Sequence, residues 1–102
     1  MKLAKDKTIL QLITHLEQKF GKESFVIEDY WDSDLCAIGL SNSQYKFLMY
    51  VSSSFKRNGI FHVEIEEIIK RGEYNFETPP IVFENIKVTE LEEVFKKYIL
   101  NN

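Results

Sequence analysis

The chain has 102 residues, a formal net charge of −3 and one cysteine. That length suits one domain with one core and leaves too little chain for a second. Hydrophobic residues at 44% and aromatics at 14% supply a globular interior, and charged residues at 28% argue against disorder.

Thr8, with Gln11 three residues later, has the pattern of a capping box, in which two side chains satisfy the free amides of a helix start. Ile9, Leu12, Ile13, Leu16 and Phe20 follow with helical spacing, and Gly21 suits a helix end, so a helix is predicted over about Ile9 to Phe20. Ser24 to Trp31 is rich in β-branched and aromatic residues and reads as extended. Leu35 to Leu40 is a short apolar run, and Ser41-Asn42-Ser43 is turn chemistry.

Tyr45 to Phe55 alternates: Tyr45, Phe47, Met49, Val51 and Phe55 share one face. Lys46, Leu48, Tyr50, Ser52 and Ser54 share the other. The Asn58-Gly59 pair is a hairpin signal, and Ile60 to Ile68 alternates again, with Phe61, Val63 and Ile65 opposite His62, Glu64 and Glu66. Arg71 to Pro80 reads as a loop, because two adjacent prolines lack the amides of a central strand. Ile81 to Val88 fits a short edge strand or an extended crossing. Thr89 with Glu92 forms a second capping-box pattern, and Leu91, Val94, Phe95, Tyr98 and Ile99 make the apolar face of a C-terminal helix. The expected fold is α+β: an antiparallel meander of four to five strands, with the N-terminal and C-terminal helices packed on one face.

Cys36 lies in the apolar run DLCAIGL and has no second cysteine to pair with, which suggests a buried, inert thiol in a reducing cytoplasm. The N-terminal stretch MKLAKDKTILQLI lacks an uninterrupted apolar segment and a small-residue cleavage site, so neither a signal peptide nor a membrane span is expected.

Charge is segregated along the chain. Residues 1–22 sum to +3, 23–45 to −5, 46–71 to +2 and 72–93 to −5. No basic stripe is dense enough for nucleic acid. The acidic segments instead suit a basic protein partner, whose association they would accelerate.

Signatures of enzymes are missing: there is no phosphate-binding glycine loop, paired-cysteine motif, HExxH or GxSxG, and no cofactor is expected. His62, Glu64 and Glu66 could bind a metal or share a proton, but sheet alternation alone accounts for them as a solvated face. Asp29, Asp32 and Asp34 lack the glycine and the distal glutamate of a calcium loop, and Asp and Ser side chains stabilising a turn explain them. His15 is expected in a surface or capping role. The stretch EDYWDSD, Glu28 to Asp34, places Tyr30 and Trp31 at the end of an extended segment, on opposite faces. One anchors the core and the other is available outside, and Trp31 fits either role. The candidate partner-binding set is Glu28, Tyr30, Asp32, Asp34, Tyr50, His62, Glu64 and Glu66, carboxylates around aromatics that bury much area on contact.

The run YKFLMYVSSSFKRNGIFHVEIEEI, Tyr45 to Ile68, preceded by DSDLCAIGL and bracketed by two amphipathic helices, resembles small bacterial immunity proteins. These are the cytoplasmic antidotes of polymorphic toxin systems, including contact-dependent growth inhibition. The resemblance implies a protein that binds a cognate toxin domain and blocks its active site or substrate groove; the chain is expected to be non-catalytic and a monomer or weak dimer. Many such toxins are nucleases with basic clefts, whose phosphate positions carboxylates can fill. A small regulatory or scaffold domain, acting through homodimerisation or protein binding, is the alternative.

Overall fold

The computed structural model describes residues 4–29, 33–54, 56–57, 59–70, 73–75 and 77–101. Helix α1 spans Lys7–Phe20. Strands β1 (Val26–Ile27), β2 (Ala37–Ser41), β3 (Phe47–Ser52) and β4 (Ile60–Lys70) follow, then β5 (Glu73–Tyr74), β6 (Ile81–Lys87) and helix α2 (Val88–Phe95), which runs on into a π-helical turn over Lys96–Leu100. The fold is α+β, as expected. The antiparallel sheet runs in the order β1-β2-β3-β4. Both β5 and β6 pair with the far edge of β4, β6 along its first half and β5 at its end. Among the described residues there are six strands where four to five were expected, because a two-residue strand forms within the predicted loop. The two prolines immediately precede β6, where missing amides break no ladder.

Helix α1 starts one cap earlier than the Thr8 pattern predicts. Asp6 is the cap: its Oδ2 accepts from the Thr8 amide at 3.0 Å and from the Thr8 hydroxyl at 2.6 Å. Those two bonds, the hydroxyl's first, hold the Asp6 carboxyl below its ordinary range. Thr8 lies inside the first turn, its hydroxyl also 2.7 Å from that of Ser53. Gly21 ends the helix at φ +95°, a region that side chains with a Cβ avoid.

Of the extended segment expected over Ser24 to Trp31, Val26–Ile27 forms a strand and Ser24 belongs instead to a 3-10 turn over Lys22–Ser24, while Tyr30 and Trp31 lie outside the described residues. In that turn the Ser24 hydroxyl donates to the Gly21 carbonyl at 2.6 Å. Tyr45 also leaves its predicted strand. It sits at φ +50° in the β2–β3 turn, which buried Asn42 builds by accepting from the Gln44 amide at 3.0 Å. The Asn42 amide nitrogen donates to the carbonyl of Ile99, tying this turn to the C-terminal helical segment.

The core forms where period-2 and period-3.6 patterns meet. Register pairs Ile38 with Val51, Val51 with Val63, and Met49 with Leu40 and Ile65, which puts these side chains on one face. On that face they join Ile9, Leu12, Ile13 and Leu16 of α1 and Leu91, Val94 and Phe95 of α2 in one buried cluster with Ile99. Phe95 stacks between the helices and the chain entering β1, its ring centroid 5.2 Å from Phe20 and 5.5 Å from Phe25. Both helices therefore cover one face of the sheet.

Glu92 joins the two helices. It is not the capping residue that Thr89 suggested; the Lys87 amide donates to Glu90 instead, at 3.3 Å. Glu92 is 7% exposed, and it accepts from the Lys19 ammonium at 2.7 Å and pairs with the His15 imidazole. The Lys19 bond, reinforced by His15, holds its carboxyl below the ordinary glutamate range.

Glu92→Gln should therefore lower unfolding stability by about 1–2 kcal/mol at pH 7, since one charge-assisted network is lost. A carboxyl with a depressed folded-state pKa stabilises above its unfolded value and loses that contribution as pH falls through the folded one. Urea denaturation should show the wild-type advantage at pH 7 shrinking below pH about 4, near the unfolded glutamate value. An advantage that grows on acidification would contradict the clasp.

Candidate functional site

The face of the sheet away from the helices is assembled by the same registers. Leu48 stands beside Glu66, Gly39 and Tyr50 in line with Glu64, and Ala37 and Ser52 in line with His62. Ala37, Ser41, Leu48 and Ser52 are buried even here. The part that solvent reaches comprises half-buried Tyr50, His62, Glu64 and Glu66, with exposed Val82 and Glu84 from β6. The sequence-predicted quartet of Tyr50, His62, Glu64 and Glu66 thus shares one outward surface.

At its centre His62 lies between two carboxylates. Its Nε2 is 2.6 Å from Glu64 Oε2 and its Nδ1 is 2.5 Å from Glu84 Oε1. Both ring nitrogens can donate together only as imidazolium. Tyr50 meets the His62 ring edge-on at a centroid distance of 6.2 Å. Glu84 also reaches Lys56 Nζ at 3.3 Å, and Lys56 bonds Asn85 Oδ1 at 2.8 Å. Lys56, with His62 adding to it, holds the Glu84 carboxyl below its ordinary range. The unit is a chain of linked polar side chains from β4 across β6 to the β3–β4 loop.

Glu84 and Lys56 escape strand-by-strand reading of the sequence. Phe83 and Ile86 both pair inward, opposite Val63 and Phe61, and the odd three-residue spacing between them forces a bulge. Asn85 absorbs it at φ +54° and Glu84 stays on the outer face beside His62. That apolar spacing in IVFENI is the signal that could have found it.

The acidic stretch after β1 has a different task. Glu28 is 6% exposed, with its amide donating to the Gly39 carbonyl at 2.9 Å. Lys5, whose side chain is 2% exposed, pairs with Asp29 at 3.0 Å and donates to the Asp34 carbonyl at 2.9 Å. The Asp34 carboxylate accepts from the Cys36 amide at 3.0 Å, so it stabilises its own turn. Asp29 and Asp34 therefore bind the N-terminal segment to the entry of β2, and neither joins the His62 group. Tyr30, Trp31 and Asp32 lie outside the described residues. Cys36 is half-buried rather than buried, because it sits in the turn ahead of β2.

Among the described residues, no three His, Cys, Asp or Glu side chains are placed to hold a metal ion, and no helix is long and apolar enough to cross a membrane. Comparison with protein-family models, with curated protein sequences and with solved structures finds no match.

Glu66 differs from its neighbours. Burial, with Glu64 beside it, raises its carboxyl pKa above the ordinary range. A raised folded-state pKa in an acid means stability that is present below the unfolded pKa and lost as pH rises through the folded one. Glu66→Gln should therefore leave the chain equally or slightly more stable at pH 7, by at most ~0.5 kcal/mol, as for a substitution near the surface. The gain should vanish near pH 3.5, where the unfolded glutamate is protonated too. Denaturation midpoints at the two pH values check this. Clear destabilisation at pH 7 would mean that Glu66 has a stabilising partner in the free chain.

Proposed function

We propose that the chain is an inhibitory binding protein of the immunity type, which neutralises a toxin domain with a basic surface by covering its active site or substrate groove. One observation carries this reading. Both helices lie on one face of the sheet, and the opposite face presents Tyr50, His62, Glu64, Glu66 and Glu84 together. An aromatic ringed by carboxylates on a firm sheet suits the contact: the ring buries area at little entropic cost, and the charges speed encounter with a basic surface. The His62–Glu84–Lys56 chain holds the side chains in place before the partner arrives. The resemblance of Tyr45 to Ile68 to immunity proteins supports the same reading, since that run contributes β3 and most of β4. In it the protein works in the cytoplasm of the toxin-producing cell, by occupancy, with no turnover and no cofactor.

The test is co-expression with the product of the gene immediately upstream, followed by association kinetics on the purified pair. The chain should protect cells and bind stoichiometrically. The Glu64→Gln/Glu84→Gln pair should slow association ~10-fold at low ionic strength, with the gap closing as salt rises. A control of equal charge change on the other side, Glu23→Gln/Glu93→Gln, should have little effect. Equal slowing by both pairs would show that net charge alone matters and that the outer face is not the docking surface.

A further inference from the structure

Glu66 borders a hollow of about 110 Å³ formed with Tyr74, Asn75, Thr78, Pro79 and Pro80. The hollow exists because β4 outruns β6. Past Ile65 the far edge of β4 turns to β5, pairing Ile68 with Tyr74 across an irregular register, and Asn75 with residues 77–80 forms a bridge back to β6. Asn75 sets that bridge. Its amide nitrogen donates to Glu67 at 2.5 Å and to Thr78 at 3.0 Å, and its Oδ1 accepts from the Glu77 amide at 3.1 Å. The two prolines fix the far wall and bring no N–H.

The carboxylate is thus half-buried against an apolar wall, and no hydrogen bond or ion pair joins it to any described residue. Its neighbour on the strand, Glu64, is engaged with His62. A charge withdrawn from water without a compensating partner is unfavourable, and its raised pKa is the signature of that condition. The prolines and Tyr74 offer a surface for an alkyl stem, with the carboxylate at its end. A divalent metal would need several oxygen ligands, which a single carboxylate does not provide. A cation on a long apolar stem fits both the charge and the walls.

We propose that the Glu66 hollow is a socket for one lysine or arginine side chain of the protein partner, its stem lying on Pro79, Pro80 and Tyr74 and its charged head on the Glu66 carboxylate. This deepens the inhibitor reading and rests on it for the identity of the partner. Exposed Val82, outward beside Glu64, extends the apolar rim towards Tyr50, so the socket lies at the edge of the same docking face.

The probes are N-acetyl-arginine methylamide and its lysine counterpart, with N-acetyl-alanine methylamide as the neutral control, titrated into the full chain and followed by ¹⁵N–¹H NMR. Either cationic probe should shift the amides of Tyr74, Asn75 and Thr78 saturably, while the neutral one should not. Glu66→Gln should weaken that binding roughly fivefold, the scale of a partly exposed ion pair, and Glu84→Gln should leave it unchanged. No saturable shift at these amides, or equal binding by Glu66→Gln, overturns the socket. If the probe binds as expected but the wild-type chain neither binds the upstream gene product nor protects cells from it, the socket stands and the inhibitor reading falls. If the Glu64→Gln/Glu84→Gln variant associates slowly while Glu66→Gln neutralises and dissociates like wild type, the reverse holds.

Discussion

One buried carboxylate links the two helices that share a face of the sheet. Glu92 takes Lys19 on one oxygen and His15 on the other, and so holds α2 beside α1 with both apolar stripes turned the same way. Phe95 then fills the space between Phe20 and Phe25. With both helices on one side, that side takes Ile38, Leu40, Met49, Val51, Val63 and Ile65 of the strands. The opposite side carries most of the strands' polar residues beside Ala37, Leu48 and Val82, because alternation places them there.

This division separates stability from recognition. Carboxylates that serve the fold have partners: Glu92 the Lys19 ammonium and the His15 imidazole, Asp29 Lys5, and Asp6 the amide and hydroxyl of Thr8. On the outer face the matching is incomplete. His62 and Lys56 serve Glu64 and Glu84, while Glu66 has burial without a described partner. A surface that leaves part of its charge unbalanced can gain more from a basic partner than one already neutralised, provided the partner replaces the lost hydration.

Much of this was legible in residue order. The helix stripes, the strands from Phe47 to Ser52 and from Ile60 onward, and the outward set of Tyr50, His62, Glu64 and Glu66 all follow from strict periodicity, which burial enforces. The misreadings come from residues with more than one local use. Asp6 and Thr8 are both good caps two positions apart, and only the three-dimensional path of the chain decides between them. Glu92 occupies a capping-box position yet turns inward, because the His15 imidazole and the Lys19 ammonium wait across the helix pair. The acidic turn looks unbalanced in sequence because its counter-ion, Lys5, lies 24 residues earlier than Asp29. Glu84 is concealed by a bulge that local alternation does not anticipate.

The central claim is that the helix-free face of the sheet meets the partner. Hydroxyl-radical footprinting of the chain, alone and bound to the basic protein partner proposed for it, tests this directly, since it reports side chains rather than backbone. Protection should concentrate at Tyr50, His62, Val82 and Pro80, with Leu10 and Phe20 on the helical side oxidised as in the free chain. Protection of Leu10 and Phe20 with Tyr50 and His62 unchanged would contradict the account.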